Sequence, residues 1–194
     1  METNEVQLNE TEGLRIIQQM ISQAKQQYSD DSFMYLLWGW LVFAASLGQY
    51  VLAAMGVENA WIVWMLMPVG GIISAFYGRM QRKNQKVRTY IDEFIKYVLT
   101  AFLVSLFMVL FFMQQLQLNC YPMVMMVYGI WLYVSGGSLR FKPLMMGGIA
   151  NWVLAVAAFY VDFEMQLLLL AIAVLLGYII PGYLLRIRYK KQQS

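Results

Sequence analysis

At 194 residues, 60% of them hydrophobic and only 13% charged, the chain has more apolar surface than a soluble domain of this length can bury in one core. It has no histidine and a single cysteine, Cys120, which excludes an intrachain disulfide and any Cys-based zinc site. No Pro/Gly/Ser-rich linker or low-complexity tract separates a soluble module. The composition predicts one integral, all-α domain: a polytopic membrane protein with a six-transmembrane-helix bundle and an N-terminal cytoplasmic amphipathic helix.

The segment 1–32 opens Met1-Glu2-Thr3-Asn4-Glu5, which is acidic and lacks the basic region, short apolar core and small-residue cleavage site of a secretory signal, so no cleavage is expected. Asn9 and Glu12 resemble a helix N-cap pair. After them Leu14, Ile17, Ile21, Ala24 and Tyr28 line one helical face, opposite Gln18, Gln19, Gln23, Gln26 and Gln27. With Arg15 and Lys25 as its only cations, this helix lacks the basic face of a lipid-surface binder. It is expected to dock on a protein surface, either its own bundle or a separate cytosolic partner.

A spanning helix needs roughly 20 mostly apolar residues, because hydrocarbon offers no partner for unpaired backbone groups. Six stretches meet this: Phe33–Met55, Ala60–Gly78, Tyr97–Leu118, Tyr121–Leu139, Pro143–Val161 and Met165–Leu185, none holding Asp, Glu, Lys or Arg. Stop signals separate them at Gly56 and Glu58, Asn119 and Pro122, Arg140 to Pro143, and Asp162 to Glu164. Short breaks imply antiparallel neighbours, and the long connection Arg79–Lys96 reads as a helical extension of both flanking spans into water.

Orientation follows from the cations, which are retained on the cytoplasmic side near span ends. All 14 basic residues fall on one side of the six-span arrangement, ending with Arg186, Arg188, Lys190 and Lys191 in the tail 186–194. The opposite loops hold Glu58, Asp162 and Glu164. This partition predicts a multi-pass protein of the cell inner membrane with both termini cytoplasmic.

Within the spans, small residues recur at four-residue spacing: Gly70, Ser74 and Gly78; Gly147, Asn151 and Ala155; Ala44 and Gly48. Such positions let helix backbones approach, within one bundle or across a homo-oligomer interface. The candidate midplane polar site comprises Ser46, Ser105, Trp131, Asn151 and Trp152, all neutral. Asn151 is the costliest to bury unpaired, so an interhelical hydrogen bond or a substrate contact is expected of it. Trp131 and Trp152 lie mid-span, where the indole N–H needs a partner, whereas Trp38, Trp40, Trp61 and Trp64 fit interfacial belts. Cys120, Met123, Met125 and Met126 are soft donors suited to Cu(I), yet with 15 methionines in the chain, gap-filling between helices explains them more simply. No metal or cofactor is expected.

On the aqueous side, Arg79, Arg82, Lys83 and Lys86 form a basic helical stripe that anionic lipid headgroups would attract; no folded module supports nucleic-acid binding. The pairs Gly70-Gly71-Ile72 and Gly147-Gly148-Ile149 make a loose internal echo of the kind found in inverted-repeat transporters. Without histidine, and with one cysteine at an interface, neither a Ser-His-Asp triad nor a Cys-His nucleophile can be assembled, and no phosphate-cradling Gly-Lys-Ser/Thr motif is present. An enzyme is not expected.

Tyr35-Leu36-Leu37-Trp38-Gly39-Trp40 and, later, Leu139-Arg140-Phe141-Lys142-Pro143-Leu144, together with the glutamine-rich N-terminal helix, resemble small six-span bacterial inner-membrane proteins. That resemblance implies location and fold, and no activity. Two functions fit the residues: a non-catalytic membrane partner or scaffold for a cytosolic regulator or enzyme, or a small transporter or channel with a neutral midplane site.

Overall fold

A computed structural model describes residues 13, 15, 32–84 and 90–193, with side chains described outside 81–92 and 192–193. Among the described residues the secondary structure is helical, with no strand. Helix α1 spans Ser32–Ala54. A 3-10 segment, Ala60–Leu66, leads into α2, Met67–Asn84, and α3 is Tyr90–Phe111. After a single helical turn, Met113–Leu116, come α4, Cys120–Ser138, and α5, Lys142–Ala158. The last helix, α6, runs continuously over 163–193 and contains a π segment, Leu175–Ile179. Five of these helical stretches are long and apolar enough to cross a membrane. This is the architecture of a multi-pass membrane protein.

The sixth, α5, has 17 residues, about 25 Å of helix against a hydrocarbon core of about 30 Å. Its neighbours fix its course. Gly129 lies against Trp152 and Gly136 against Met145, so α5 runs antiparallel to α4; Gly147 against Gly177 and Asn151 bonded to Ala173 make it antiparallel to α6.

Contacts gather alternate turns at two ends. Gln49 of α1, Trp64, Tyr121 of α4 and Phe163 of α6 meet at one end, near Glu58, Asp162 and Glu164. At the other, Phe33 lies tilted against Tyr77 with ring centroids 4.6 Å apart, Leu36 abuts Gly182, and Arg188 covers Phe141. We term these the acidic and the basic end.

Burial is uneven. In α6, 56% of the apolar window is buried inside the bundle and in α4 50%, against none in α3, so α4, α5, α6 and α1 form the centre and α3 a peripheral helix. Phe102, Leu106 and Val109 of α3, at spacings of four and three, make its seam with the core. Its remaining faces expose Leu103, Val104, Phe107 and Phe111.

Several boundaries differ from the sequence expectation. Helix α3 ends at Phe111, short of the Leu118 expected to close the third span. Gln114, Gln115 and Gln117 follow directly, and amide side chains are expensive in hydrocarbon, so the chain turns there, with Gln117 at φ 46°. The last helix continues past Leu185, the expected end of a sixth span, to Gln193. Its π segment has a local cause: Pro181 has no N–H and its ring crowds the carbonyl four residues back, that of Gly177, so the ladder widens over Leu175–Ile179.

Candidate functional site

The midplane centres on Asn151, which is completely buried. Its Nδ2 donates to the Gly147 carbonyl one turn back, at 2.9 Å, and across the interface to the Ala173 carbonyl of α6, at 3.0 Å. The second bond falls just before the π segment, where the change of helical register leaves carbonyls short of a backbone donor. Asn151 thus clamps α5 to α6 immediately before the π segment.

Glycines make the clamp possible. A methyl group placed on Gly147 would lie 2.7 Å from Gly177 Cα, and one on Gly177 would lie 2.5 Å from Asn151 Nδ2 and 2.6 Å from Leu132 Cδ1. Next to it, Gly148 serves the other face of α5, where a methyl would sit 2.9 Å from the Gly129 carbonyl oxygen. The adjacent pair lets one helix approach two neighbours. The Gly70-Gly71 pair of α2 behaves differently: Gly70 meets Leu41 and Trp38, whereas Gly71 and Gly78 have nothing within 4 Å.

The other sequence candidates do not converge on Asn151. Trp152 turns to α4, where its Nε1 donates to the Met126 carbonyl at 3.2 Å and its ring lies 5.5 Å from Tyr133. Trp131 faces α3, with its ring 5.3 Å from Phe102. Ser105 is exposed on α3. Ser46 is completely buried in α1, and its Oγ has no hydrogen-bond partner; the same holds for Asn151 Oδ1. Asn151, Trp152 and Trp131 each reach a different neighbouring helix, while Ser105 faces outward and Ser46 is unpartnered, so the set is distributed through the bundle.

Of the basic stripe, Arg79 is exposed on α2; the side chains of Arg82 and Lys83 and the whole of Lys86 lie outside the described residues, as do Leu14, Ile17, Ile21, Ala24 and Tyr28. Cys120 and Met125 are buried while Met126 is 42% exposed, so the sulfurs of this run point to different sides of α4.

A second polar cluster escaped the sequence reading. Gln49, 5% exposed, accepts through Oε1 from Trp64 Nε1 at 2.6 Å and from the Tyr121 hydroxyl at 2.7 Å, joining α1, the 3-10 segment and α4 at the acidic end. Trp64 and Tyr121 stack with centroids 6.1 Å apart. Trp64, expected from the sequence to sit in an interfacial belt, is here a structural donor. Gln166, 1% exposed, donates to the Val161 carbonyl at 3.2 Å and fixes the α5–α6 turn. The signal for both was their amide chemistry inside an apolar stretch, which counting charges alone passes over.

Two grooves lie on the outer surface, one lined by Leu103, Leu106, Phe107 and Leu110 of α3, the other by Phe111, Met113, Gln114, Gln117 and Phe163 beside the α3–α4 turn. Neither is lined by Asn151. Comparison with protein-family models, with curated proteins and with solved structures finds no match to this chain.

Proposed function

We propose that this chain is a non-catalytic inner-membrane protein that serves as the membrane partner or scaffold of a cytosolic regulator or enzyme. In this reading it crosses the bilayer six times, with both termini and the basic end in the cytoplasm. The closed midplane carries the proposal: the donor bonds of Asn151 are internal, its side chain is fully buried, and glycine-mediated backbone contacts surround it. A bundle packed in this way presents its distinctive chemistry at its ends. The antiparallel course of α5, from the basic end to the acidic end, supports counting it as a crossing, its shortfall in length being met by local bilayer thinning.

The partner-facing elements are the amphipathic sequence 1–28 and the connection 79–96. Deleting residues 1–28 is expected to leave membrane insertion unchanged and to remove any cytosolic protein that crosslinks to the full chain in native membranes. An identical crosslinked set would contradict the proposal.

A transporter with a neutral midplane path has one specific observation in its favour, the buried and unpartnered Asn151 Oδ1 and Ser46 Oγ. The scaffold reading predicts that proteoliposomes admit glycerol or urea no faster than protein-free liposomes. A flux that Asn151→Leu abolishes without unfolding the protein would favour transport.

A further inference from the structure

The α4–α5 turn is closed by a Schellman arrangement: the Phe141 N–H donates to the Gly136 carbonyl at 2.9 Å and the Arg140 N–H to the Gly137 carbonyl at 3.1 Å. The left-handed position this motif requires, normally glycine, is occupied here by Arg140 at φ 49°. A long cation thus holds a conformationally costly position at the turn.

Three cations share this place. Arg140 and Lys142 flank Phe141 and are exposed; Phe141 itself is 5% exposed, and the Arg188 guanidinium lies 5.7 Å from its ring centroid. Phe141 thus forms an apolar floor that holds Arg188 beside the turn through a cation–π contact. Among the described residues, no carboxylate forms an ion pair with Arg140, Lys142 or Arg188. The N-terminus of α5, beginning at Lys142, adds positive potential to the same place.

We infer that Arg140, Lys142 and Arg188 form a discrete site for the headgroup of one anionic phospholipid. The surface below the cations selects a lipid over a soluble anion. Met146, Ile149 and Val153 follow Lys142 at intervals of four, three and four along α5, and they are 69%, 48% and 64% exposed, giving an acyl chain an apolar track directly beneath the headgroup. The site rests on the reading of the bundle as membrane-spanning, but it is independent of which way the bundle faces.

The test uses the full-length chain purified in neutral detergent micelles, with retained lipid counted by native mass spectrometry during titration with phosphatidylglycerol or phosphatidylcholine. The wild-type chain should retain phosphatidylglycerol in preference. Combining Arg140→Gly, Lys142→Gln and Arg188→Gln should weaken that binding by about tenfold or more. The charge-matched set Arg79→Gln, Arg82→Gln and Lys83→Gln should leave it within about twofold, since those cations belong to α2 and not to the turn or to α6. Arg140→Gly alone should raise the melting temperature in phosphatidylcholine while reducing phosphatidylglycerol retention, a pairing that a purely structural role for Arg140 does not give.

Equal weakening in both triple variants would show diffuse attraction only and overturn the site. So would equal retention of the two lipids, displacement by glycerol 1-phosphate as effective as that by phosphatidylglycerol, or binding that appears only when residues 1–31, which carry Glu2, Glu5, Glu10, Glu12, Asp30 and Asp31, are removed. Because micelles impose no sidedness, a reversed orientation of the bundle would leave these outcomes unchanged, so failure of the lipid site and failure of the proposed topology are read separately.

Discussion

Gln49 illustrates how polar atoms are used in this bundle. One carbonyl oxygen, with two lone pairs, accepts from an indole and a phenol on two other elements, so the three side chains satisfy one another out of water. Removing the acceptor leaves two donors facing an apolar interior. Gln49→Leu is therefore expected to destabilise the protein by about 1–3 kcal/mol, measured by denaturant unfolding in micelles. Adding Trp64→Phe and Tyr121→Phe should recover part of that loss, because apolar groups then replace both sides of the interaction. A triple variant less stable than Gln49→Leu would mean that ring packing dominates the cluster. Asn151 follows the same logic with an important difference: its acceptor partner is a backbone carbonyl beside a π turn, so its role depends on the shape of α6.

At the scale of the elements, glycine and proline set that shape. Pro181 widens the ladder before it, Gly177 lies in the widened stretch, and Gly147 and Gly148 bring α5 against α6 and α4 at adjacent positions. Gly147→Ala is expected to cost about 1–3 kcal/mol, since its methyl meets backbone that cannot move aside without separating two helices. Gly71→Ala, with open space around it, should be neutral or stabilising by up to about 1 kcal/mol through its helical preference. Thermal unfolding of the two variants side by side measures the contrast, and equal effects would contradict the packing described.

These features were unevenly legible in the sequence. The small-residue spacing marked both glycine pairs alike, because it records size and cannot record which face a neighbour occupies. Asn151 was recognisable as costly to bury, and the structure supplies its acceptor, Ala173. Gln49 and Gln166 went unread because neither carries a charge. The π segment was implicit in Pro181, although a proline in an apolar span specifies a disturbed ladder without specifying where the neighbouring helix will exploit it. Ser105 shows the reverse case, a polar residue at mid-span that faces outward on the peripheral helix α3.

At the scale of the molecule, hydropathy and stop signals marked where the helices fall but less well where they end: α2 runs on to Asn84 and α3 starts at Tyr90, the glutamines beyond Phe111 end α3 early, and α6 continues past Leu185 to Gln193. Packing order was beyond that reading: nothing in the apolar run of α3 distinguishes a helix touching the core along one stripe from one buried at its centre. The cations were more informative. In the structure Arg140, Lys142, Arg186, Arg188, Lys190 and Lys191 gather at the end opposite Glu58, Asp162 and Glu164, an asymmetry that retention of cations on the cytoplasmic side explains if α5 is a full crossing.

That crossing and its direction are tested most directly by the sidedness of two turns. In a Cys120→Ser background, single substitutions Arg140→Cys and Asp162→Cys are probed with a membrane-impermeant maleimide on intact and on permeabilised cells. A six-crossing bundle with its basic end in the cytoplasm predicts that the Asp162→Cys variant labels in intact cells and the Arg140→Cys variant only after permeabilisation. Labelling of both from the same side would contradict it, placing the two ends of α5 on one face of the membrane.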